Sequence, residues 1–471
     1  MENDSSNQDD DFLFKETHYA RYGYERTNIY GLALLESRLP TYLERASDFP
    51  SSRHDQLPNT MLPHTQKGLL PKPRCHMITA SASELTAFIA NDGYWNCIWL
   101  DLGLEAGKSE VIAVDAMELG TEDDGIRIAV VIAVGQKTDP ENEHTGLTYS
   151  LRIYGHNTLA EPYLEQTLAN ISKSSQIIPL QYPPMQLTHS NIQYKDDKKL
   201  GFFSSSMDGI IHLYQQNESS MEFQEISTYG HYPMLQKISD RHINILFMHF
   251  FSHPNGKQVV CAGGQNGELF LGFYDKDGHE SRSHCIRTFS PITSVLIFQP
   301  QVTKAKENEE LCLVVTSAIE QASVYRSIQT KGLDQHRVLP QSALYDSVLC
   351  SHAMDVDWDG EREIMIGTYG RQVVIYKQVA GTQDYNVLWR RQFAYPIYRI
   401  VHFDLNCDGL DELLVTTMYG VHIFQPNMWK AKSRLMEALQ FIQSSKKQKL
   451  DLLLEWKKQK ELEKAIIFES A

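Results

Sequence analysis

The sequence predicts an all-β protein, a single seven-bladed β-propeller followed by a C-terminal amphipathic helix. The main observation is a phrase that occurs twice near the C-terminus, once from Asp355 and again from Asp404. Each copy contains an acidic turn, an apolar strand, a glycine turn and a second apolar strand. Self-similarity of this kind is typical of a repeat architecture, in which no unit buries its core alone.

Weaker copies of the same strand–glycine–strand hairpin lie upstream. Two of them carry Asp-Gly or Asn-Gly turns, at 208–209 and 266–267. These dipeptides favour two-residue hairpins, because both positions of a type I′ turn need positive φ. Three units are less regular: residues 77–90, 126–154 and 311–325. Together these units give about 50 residues per repeat, which is the size of a four-stranded propeller blade.

The propeller domain is expected at residues 20–428, with two segments that depart from the repeat. Residues 1–19 are acidic and lack an apolar run, which predicts a disordered arm and not a secretory signal. Residues 36–73 are rich in proline, which predicts a loop or disordered insert in the first blade. Between them, we expect residues 28–35 to form the strand that closes the ring beside the last blade.

The tail, residues 429–471, is lysine-rich and helical in pattern. Its apolar residues recur at helical spacing in two groups, and the polar stretch 444–449 interrupts the heptad between them. We therefore expect two short amphipathic helices or one bent helix. Such a helix either packs on the rim of its own propeller or docks a partner. The candidate docking residues are Leu435, Leu439, Ile442, Leu450, Leu453 and Trp456.

Composition limits the class of protein. The formal net charge of −15 argues against a general nucleic-acid binder. Seven cysteines without close pairs are typical of a reducing compartment. The longest apolar stretch, residues 128–134, is too short to span a bilayer. We expect a cytoplasmic protein without a transmembrane segment, held at membranes only through partners.

The two acidic turns are candidate Ca²⁺ sites. Alternating oxygens face inward around a hard cation, and a glycine at the sixth position permits the sharp turn. They are not EF-hands, because Ile366 and Val415 stand where that loop needs a glutamate. The alternative, which we favour, is a metal-free turn whose carboxylates accept backbone N–H bonds. The candidate ligands are Asp355, Asp357, Asp359, Glu363, Asp404, Asn406, Asp408 and Glu412.

No set of residues predicts catalysis. Residues 103–109 are similar to a phosphate-binding loop, but Leu102 stands where its first glycine is required. The sequence also lacks a nucleophile elbow and a zinc-protease motif. We expect no enzyme activity, and no cofactor apart from a possible structural Ca²⁺.

Several segments resemble the kaptin family in the same order along the chain, and the two C-terminal repeats resemble FG-GAP propeller blades. The resemblance spans about residues 20–428 and is most specific in the last third. The segments that carry it are 27–32, 211–214, 291–298, 322–326, 345–360 and 419–424.

The resemblance implies a non-catalytic scaffold. Kaptins belong to the KICSTOR complex, which includes a second propeller protein. That complex holds the GATOR GTPase-activating complex at the lysosome and restrains TOR signalling when amino acids or glucose are scarce. Kaptin is also described as an F-actin-associated protein of lamellipodia and stereocilia, which is the alternative function. A Ca²⁺-dependent enzyme or lectin of the FG-GAP kind is disfavoured by the missing secretory signal.

Overall fold

The computed structural model describes residues 13–22, 25–41, 73–104, 107–119, 125–137, 145–155, 163–193, 198–217, 219–302 and 310–469. Its strands form seven four-stranded sheets. Neighbouring strands within each sheet are antiparallel, and six of the sheets use four strands that are consecutive in the chain. These sheets are the blades of a propeller, which confirms the predicted fold class.

The first three blades follow one another from the N-terminal side. Blade 1 consists of β2 (Leu32–Ser37), β3 (Arg74–Ala80), β4 (Leu85–Asn91) and β5 (Tyr94–Leu100). Blade 2 consists of β6 (Ser109–Leu119), β7 (Gly125–Lys137), β8 (Thr145–Tyr154) and β9 (Ser175–Leu180). Blade 3 consists of β10 (Pro184–Gln193), β11 (Lys198–Ser206), β12 (Ile211–Gln216) and β13 (Phe223–Ile226).

The next three blades have the same arrangement. Blade 4 consists of β14 (Ile245–Ser252), β15 (Gln258–Gly264), β16 (Glu268–Tyr274) and β17 (Glu280–Arg287). Blade 5 consists of β18 (Ile292–Phe298), β19 (Cys312–Ser317), β20 (Ser323–Tyr325) and β21 (His336–Val338). Blade 6 consists of β22 (Val348–Met354), β23 (Glu363–Thr368), β24 (Gln372–Gln378) and β25 (Tyr385–Gln392).

Blade 7 combines both ends of the propeller chain. Its strands are β26 (Ile397–Phe403), β27 (Glu412–Thr417), β28 (Gly420–Pro426) and, from the N-terminal side, β1 (Phe14–Arg21). The β1 strand pairs with β28 from Phe14 opposite Pro426 to Arg21 opposite Gly420. The ring is therefore closed by hydrogen bonds between the two ends of the propeller.

The predicted closing strand was wrong. Of residues 28–35, the last four belong to β2, which pairs with β3 inside blade 1. Residues 14–19, which we had assigned to the acidic arm, belong to β1 instead. Several apolar segments near the N-terminus have the pattern of a strand. Only the non-local pairing with β28 determines which of them closes the ring. Residues 1–12, and residues 42–72 of the proline-rich insert between β2 and β3, lie outside the described residues.

The core is divided among the blade interfaces. Seven clusters of buried apolar side chains occur in the described residues, one between each pair of neighbouring blades. The cluster between blades 7 and 1 joins Leu32 and Met77 to Val401 and Ile423. Phe14 of β1 packs in the cluster between blades 6 and 7. Each blade therefore depends on both of its neighbours for burial of its two sides.

Within the ranges that the structure describes, four α-helices accompany the strands. They are α1 (Leu164–Ala169), α2 (Pro233–Asp240), α3 (Ile328–Lys331) and α4 (Met428–Glu469). The tail forms a single C-terminal helix, as one of the two alternatives predicted; the other, a pair of short helices, is wrong, because α4 runs through residues 444–449 without interruption. Lysine and glutamine are good helix formers, so a stretch that breaks the apolar stripe does not break the helix.

The antiparallel order of the strands defines two faces of the propeller. The turns between first and second strands, and between third and fourth strands, lie on one side, which we call the lower face. The turns between second and third strands, and the connections from one blade to the next, lie on the opposite side, the upper face. Since α4 follows β28, it begins on the lower face.

Candidate functional site

The predicted acidic turns lie side by side on the lower face. The first acidic loop, residues 355–363, connects β22 to β23 in blade 6, and the second acidic loop, residues 404–412, connects β26 to β27 in blade 7. Trp358 and Cys407 have the same left-handed φ of 56° at equivalent positions. The two loops therefore share one backbone conformation, as their sequences predict.

The first aspartate of each loop holds the turn together. The Asp355 carboxylate accepts the backbone N–H groups of Asp359 at 3.2 Å and Gly360 at 2.9 Å. In the second loop the Asp404 carboxylate accepts those of Asp408 at 3.0 Å and Gly409 at 2.8 Å. These are the bonds of a carboxylate-capped turn, the alternative that we favoured over a metal site.

A buried glutamate ends each loop. Glu363 and Glu412 are each 2% exposed. Glu363 Oε2 accepts the backbone N–H of Val356 at 2.9 Å, and Glu412 Oε2 accepts that of Leu405 at 2.8 Å. Burial raises the pKa of each carboxyl to about 7, against the opposing effect of these hydrogen bonds. Both glutamates therefore tie the start of the loop to the strand that follows it.

The carboxylates of the first acidic loop surround the ammonium group of a lysine from a neighbouring strand. Lys377 Nζ of β24 lies 2.6 Å from Asp357 Oδ2, 2.7 Å from Asp359 Oδ2 and 3.0 Å from Glu363 Oε1. Burial alone lowers the pKa of this ammonium group, but the three carboxylates outweigh that effect and raise the pKa. The ammonium group therefore lies among three of the predicted metal ligands.

This lysine bears directly on the predicted metal ligands. Asp355, Asp357 and Glu363 bring carboxylate oxygens within 4.8 Å of one another, a spacing at which a cation fits. Two of these three side chains already pair with Lys377. The sequence reasoning missed Lys377, although the alternation of strand residues places it beside Glu363, since Ile364 pairs with Tyr376 on the neighbouring strand.

The second acidic loop is built differently. Leu413 pairs with Phe424, so Gln425 holds the position that Lys377 has in blade 6. Asn406 replaces one carboxylate by an amide, and its Nδ2 donates to Asp408 Oδ2 at 3.1 Å. The second loop thus has one negative charge fewer than the first and carries a neutral residue where the first has an ammonium group.

The predicted docking residues of the tail all face solvent. Leu435, Leu439, Ile442, Leu450, Leu453 and Trp456 are exposed on α4. Near its start the helix contacts the first acidic loop, where Arg434 Nε donates to the carbonyl oxygen of Asp357 at 3.3 Å. The described side chains of α4 do not pack on the propeller rim along their length. The docking role of these residues stays a prediction.

The inner strands contain a histidine pair that the sequence did not reveal. His352 Nε2 of β22 lies 2.5 Å from His402 Nδ1 of β26, so one ring donates to the other. Burial lowers the pKa of His402 to about 4 and that of His352 well below its ordinary value, and neighbouring cationic groups act in the same direction. Both rings are therefore neutral near pH 7. The pair links blades 6 and 7 next to the acidic loops.

The family described as "KPTN: KICSTOR complex protein kaptin" matches residues 106–436. This range covers blades 2 to 6, the three C-terminal strands of blade 7, both acidic loops and the start of α4. The chain belongs to the kaptin family. The resemblance that we found in short segments is thereby confirmed over most of the sequence.

A relative within the kaptin family is the mouse protein "KICSTOR complex protein kaptin", from Mus musculus. It is 34% identical over 288 residues, which are 59% of this chain and 66% of the mouse protein. The matched part is thus slightly less than two thirds of that kaptin's length. The matched range of the family ends within α4, so most of this helix lies beyond it.

Solved structures are more distant from this kaptin family member. The crystal structure of BBS1N in complex with ARL6DN, soaked with mercury, gives a TM-score of 0.47 at 10% identity, covering 88% of this chain and 97% of that chain. The lead-soaked crystal of the same complex gives 0.42 at 10% identity, covering 75% and 88%. None of the described helices has a stretch long and apolar enough to cross a membrane.

Proposed function

We propose that this chain is a non-catalytic scaffold subunit of a KICSTOR-type complex. In this proposal it assembles with the other subunits, including a second propeller protein. Through them it holds the GATOR GTPase-activating complex at the lysosomal membrane and restrains TOR signalling when amino acids or glucose are scarce. The observation that carries the proposal is the kaptin family match over residues 106–436.

The geometry supports a binding role. The described apolar side chains of α4 are exposed along the helix. A large apolar surface in water is typical of a protein interaction site, because covering it removes apolar area from water. An amphipathic helix commonly docks in the groove of a partner. We therefore assign α4 to subunit contacts.

The acidic loops have a structural role in this proposal. Asp355 and Asp404 cap backbone N–H groups, and Lys377 neutralises the first loop. Neither loop needs Ca²⁺ to keep its conformation under this assignment. The loops hold the lower face of blades 6 and 7 in shape beside the start of α4.

Co-expression with the other KICSTOR subunits tests the proposal. We expect the full chain to co-purify with them, and a chain ending at residue 427, without α4, to be recovered with fewer of them. In cells that lack the endogenous protein, the full chain should restore the loss of TOR-dependent phosphorylation on amino-acid withdrawal. A full chain that neither co-purifies with these subunits nor restores this response would overturn the assignment.

Actin binding is the second candidate, and the basic character of α4 favours it. Lysines stand along the helix, including Lys446, Lys447 and Lys449. A basic helix attracts an acidic surface, and such attraction weakens as salt screens the charges. Co-sedimentation with F-actin at low and physiological salt measures it. Pelleting that persists at physiological salt and is lost without α4 would support this function.

A further inference from the structure

An apolar patch on the upper face lies opposite to the acidic loops and α4. It consists of five side chains in turns of the second half of the propeller, which are highly or partly exposed. They are Phe289 (100% exposed), Ile319 (78%), Leu344 (69%), Tyr369 (50%) and Tyr395 (39%). Each belongs to a turn between second and third strands or to a connection between blades.

Hydrogen bonds join the turns of blades 4 to 6 into one surface. The Ile319 N–H donates to Ser290 Oγ at 3.0 Å, which ties the blade 5 turn to the connection that carries Phe289. Ser347 Oγ donates to the carbonyl oxygen of Ala318 at 2.8 Å. The Tyr369 N–H donates to the carbonyl oxygen of Ser347 at 2.8 Å. The turns that carry Phe289, Ile319, Leu344 and Tyr369 are therefore neighbours on the upper face.

The patch extends towards blade 7. The rings of Tyr395 and Tyr419 meet edge to face with centroids 4.7 Å apart. The Met418 N–H donates to the carbonyl oxygen of Pro396 at 3.2 Å, which fixes the blade 7 turn against the connection from blade 6. Aromatic side chains held in this way offer a binding surface that loses little side-chain freedom on contact.

The backbone of these turns is strained. Gln341 and Arg371 have φ values of 64° and 66°, in the left-handed region. Asp346 has φ 65° and ψ −167°, a conformation that is essentially restricted to glycine. Such residues concentrate at functional sites, where the surrounding structure holds a side chain in a required position. Here the strain occurs in the connection that presents Leu344 and in the turn that presents Tyr369.

We propose that this patch binds another subunit of the complex, through an apolar segment that carries a basic side chain. Glu320 and the exposed Asp346 stand on the same turns as Ile319 and Leu344, so a lysine or arginine beside these two residues complements them, whereas the exposed Arg371 stands at the other end of the patch, on the turn of Tyr369. The inference deepens the proposed function and rests on it. The patch is separate from the α4 contact, because α4 begins on the opposite face.

The size of the patch favours a subunit over a second copy of this chain. Its five side chains expose on the order of 600 Å². A stable dimer needs about 800 Å² from each partner, which two such patches facing each other do not supply. A subunit that is also held in the complex through other contacts has no such shortfall, because the contacts act together.

Co-expression of the chain with the other KICSTOR subunits tests this inference. The variant carries Phe289→Ser, Ile319→Ser and Leu344→Ser. The matched control carries Trp99→Ser and Ile177→Ser, which replace side chains that are exposed on the outer strands of blades 1 and 2. We expect at least about a tenfold loss of subunit recovery for the variant, typical of a central interface cluster, and wild-type recovery for the control. Glu320→Lys should weaken recovery most at low salt.

The outcomes separate this inference from the proposed function. If the wild type does not assemble with the subunits, both are overturned. If the wild type and the patch variant assemble equally, only the patch inference is overturned. A concentration-dependent dimer that the patch variant abolishes also overturns it, because the occupant is then a second copy. If the variant melts below the control, hydrogen exchange of the wild type decides: protection of residues 288–291, 318–322 and 339–347 in the complex supports the inference, and unchanged exchange overturns it.

Discussion

At the scale of single residues, Lys377 is the side chain that most changes the interpretation of the acidic loops. Its ammonium group bonds to Asp357, Asp359 and Glu363, so the first loop carries its own counter-charge. Gln425 takes the equivalent position in the second loop, where Asn406 has already replaced one carboxylate. The loop with one carboxylate more is therefore the loop that has a cation on the neighbouring third strand.

Replacing Lys377 with Met should destabilise the protein and create a dependence on Ca²⁺. The substitution leaves three carboxylates close together without a cation, which should cost about 1–3 kcal/mol of the free energy of unfolding. Added Ca²⁺ should recover part of this loss, because the oxygens are within reach of one ion. Calorimetry with Ca²⁺ and with chelator measures both effects.

Gln425→Met is the matched control, and its melting temperature should not respond to Ca²⁺. A wild-type protein whose melting temperature rises by several degrees in Ca²⁺ would contradict the metal-free interpretation. An unchanged melting temperature for Lys377→Met would show that the ammonium group is not needed.

The histidine pair predicts a pH dependence of stability. The pKa of His352 lies well below its ordinary value in the folded state, while in the unfolded chain it is about 6.5. Below about pH 6.5 the unfolded state therefore binds the proton that the folded state does not, so stability falls as the pH decreases. The His352→Gln variant should lose less stability between pH 6.5 and 5 than the wild type, by up to about 1.4 kcal/mol per pH unit.

Urea unfolding at the two pH values measures this difference, and the exposed His279→Gln serves as the control. The raised pKa values of Glu363 and Glu412 act in the opposite direction over the same range, because their folded forms take up protons as the pH falls below about 7. They are present in all three proteins, so the comparison isolates His352. Parallel pH profiles for wild type and His352→Gln would refute the assignment.

At the scale of elements, α4 combines an exposed apolar stripe with a basic surface. The alternative of two short helices is wrong because it takes the polar residues 444–449 as a break in the helix as well as in the stripe. In the structure they interrupt only the stripe. Lys432 and Lys460 lie over the rings of Trp429 and Trp456, at 5.6 Å and 4.2 Å from the ring centroids. These contacts partly cover the aromatic rings while leaving the leucines open.

Changing Leu435, Leu439 and Ile442 to Ser should weaken subunit binding without lowering the melting temperature of the isolated protein. The three side chains are exposed in the chain alone, so their removal costs the folded state little. If a partner covers them, each contributes about 1.5–3 kcal/mol of burial at the interface. Co-precipitation of the other subunits, together with the melting temperature, separates the two effects.

The comparison variant is Lys446→Ser with Lys447→Ser, which changes the polar stretch of the same helix. It should retain more binding than the leucine variant in physiological salt. A lower melting temperature for the leucine variant would mean that the helix packs on its own propeller. Unchanged binding would exclude this part of α4 as a contact.

At the scale of the whole molecule, stability depends on closure of the ring. The seven apolar clusters lie between blades, so an unpaired edge at blade 7 exposes the clusters on both of its sides. The β1 strand supplies that closure and also buries Phe14, which is 2% exposed. The β1 and β28 strands are far apart in the sequence, but they pair in the same way as the third and fourth strands of the other blades.

Deleting residues 1–21 should lower the melting temperature and cause aggregation, because it exposes the edge of β28. Deleting residues 1–12 leaves β1 intact and is the control. Thermal unfolding and light scattering measure the two deletions. Equal melting of both would show that β1 does not close the ring.

The amino-acid sequence by itself determined the repeat, the acidic turns and the helical tail, because each depends on residues that are close together in the chain. The Asp355 and Asp404 turns, for example, contain their own hydrogen-bond acceptors and donors within five residues. Only the tertiary structure decided which strand closes the ring, that Lys377 enters the first acidic loop, and that five apolar side chains from separate turns form one patch. These features depend on pairing between strands and blades, and the spacing of residues along the chain does not specify which distant strand or side chain becomes the neighbour.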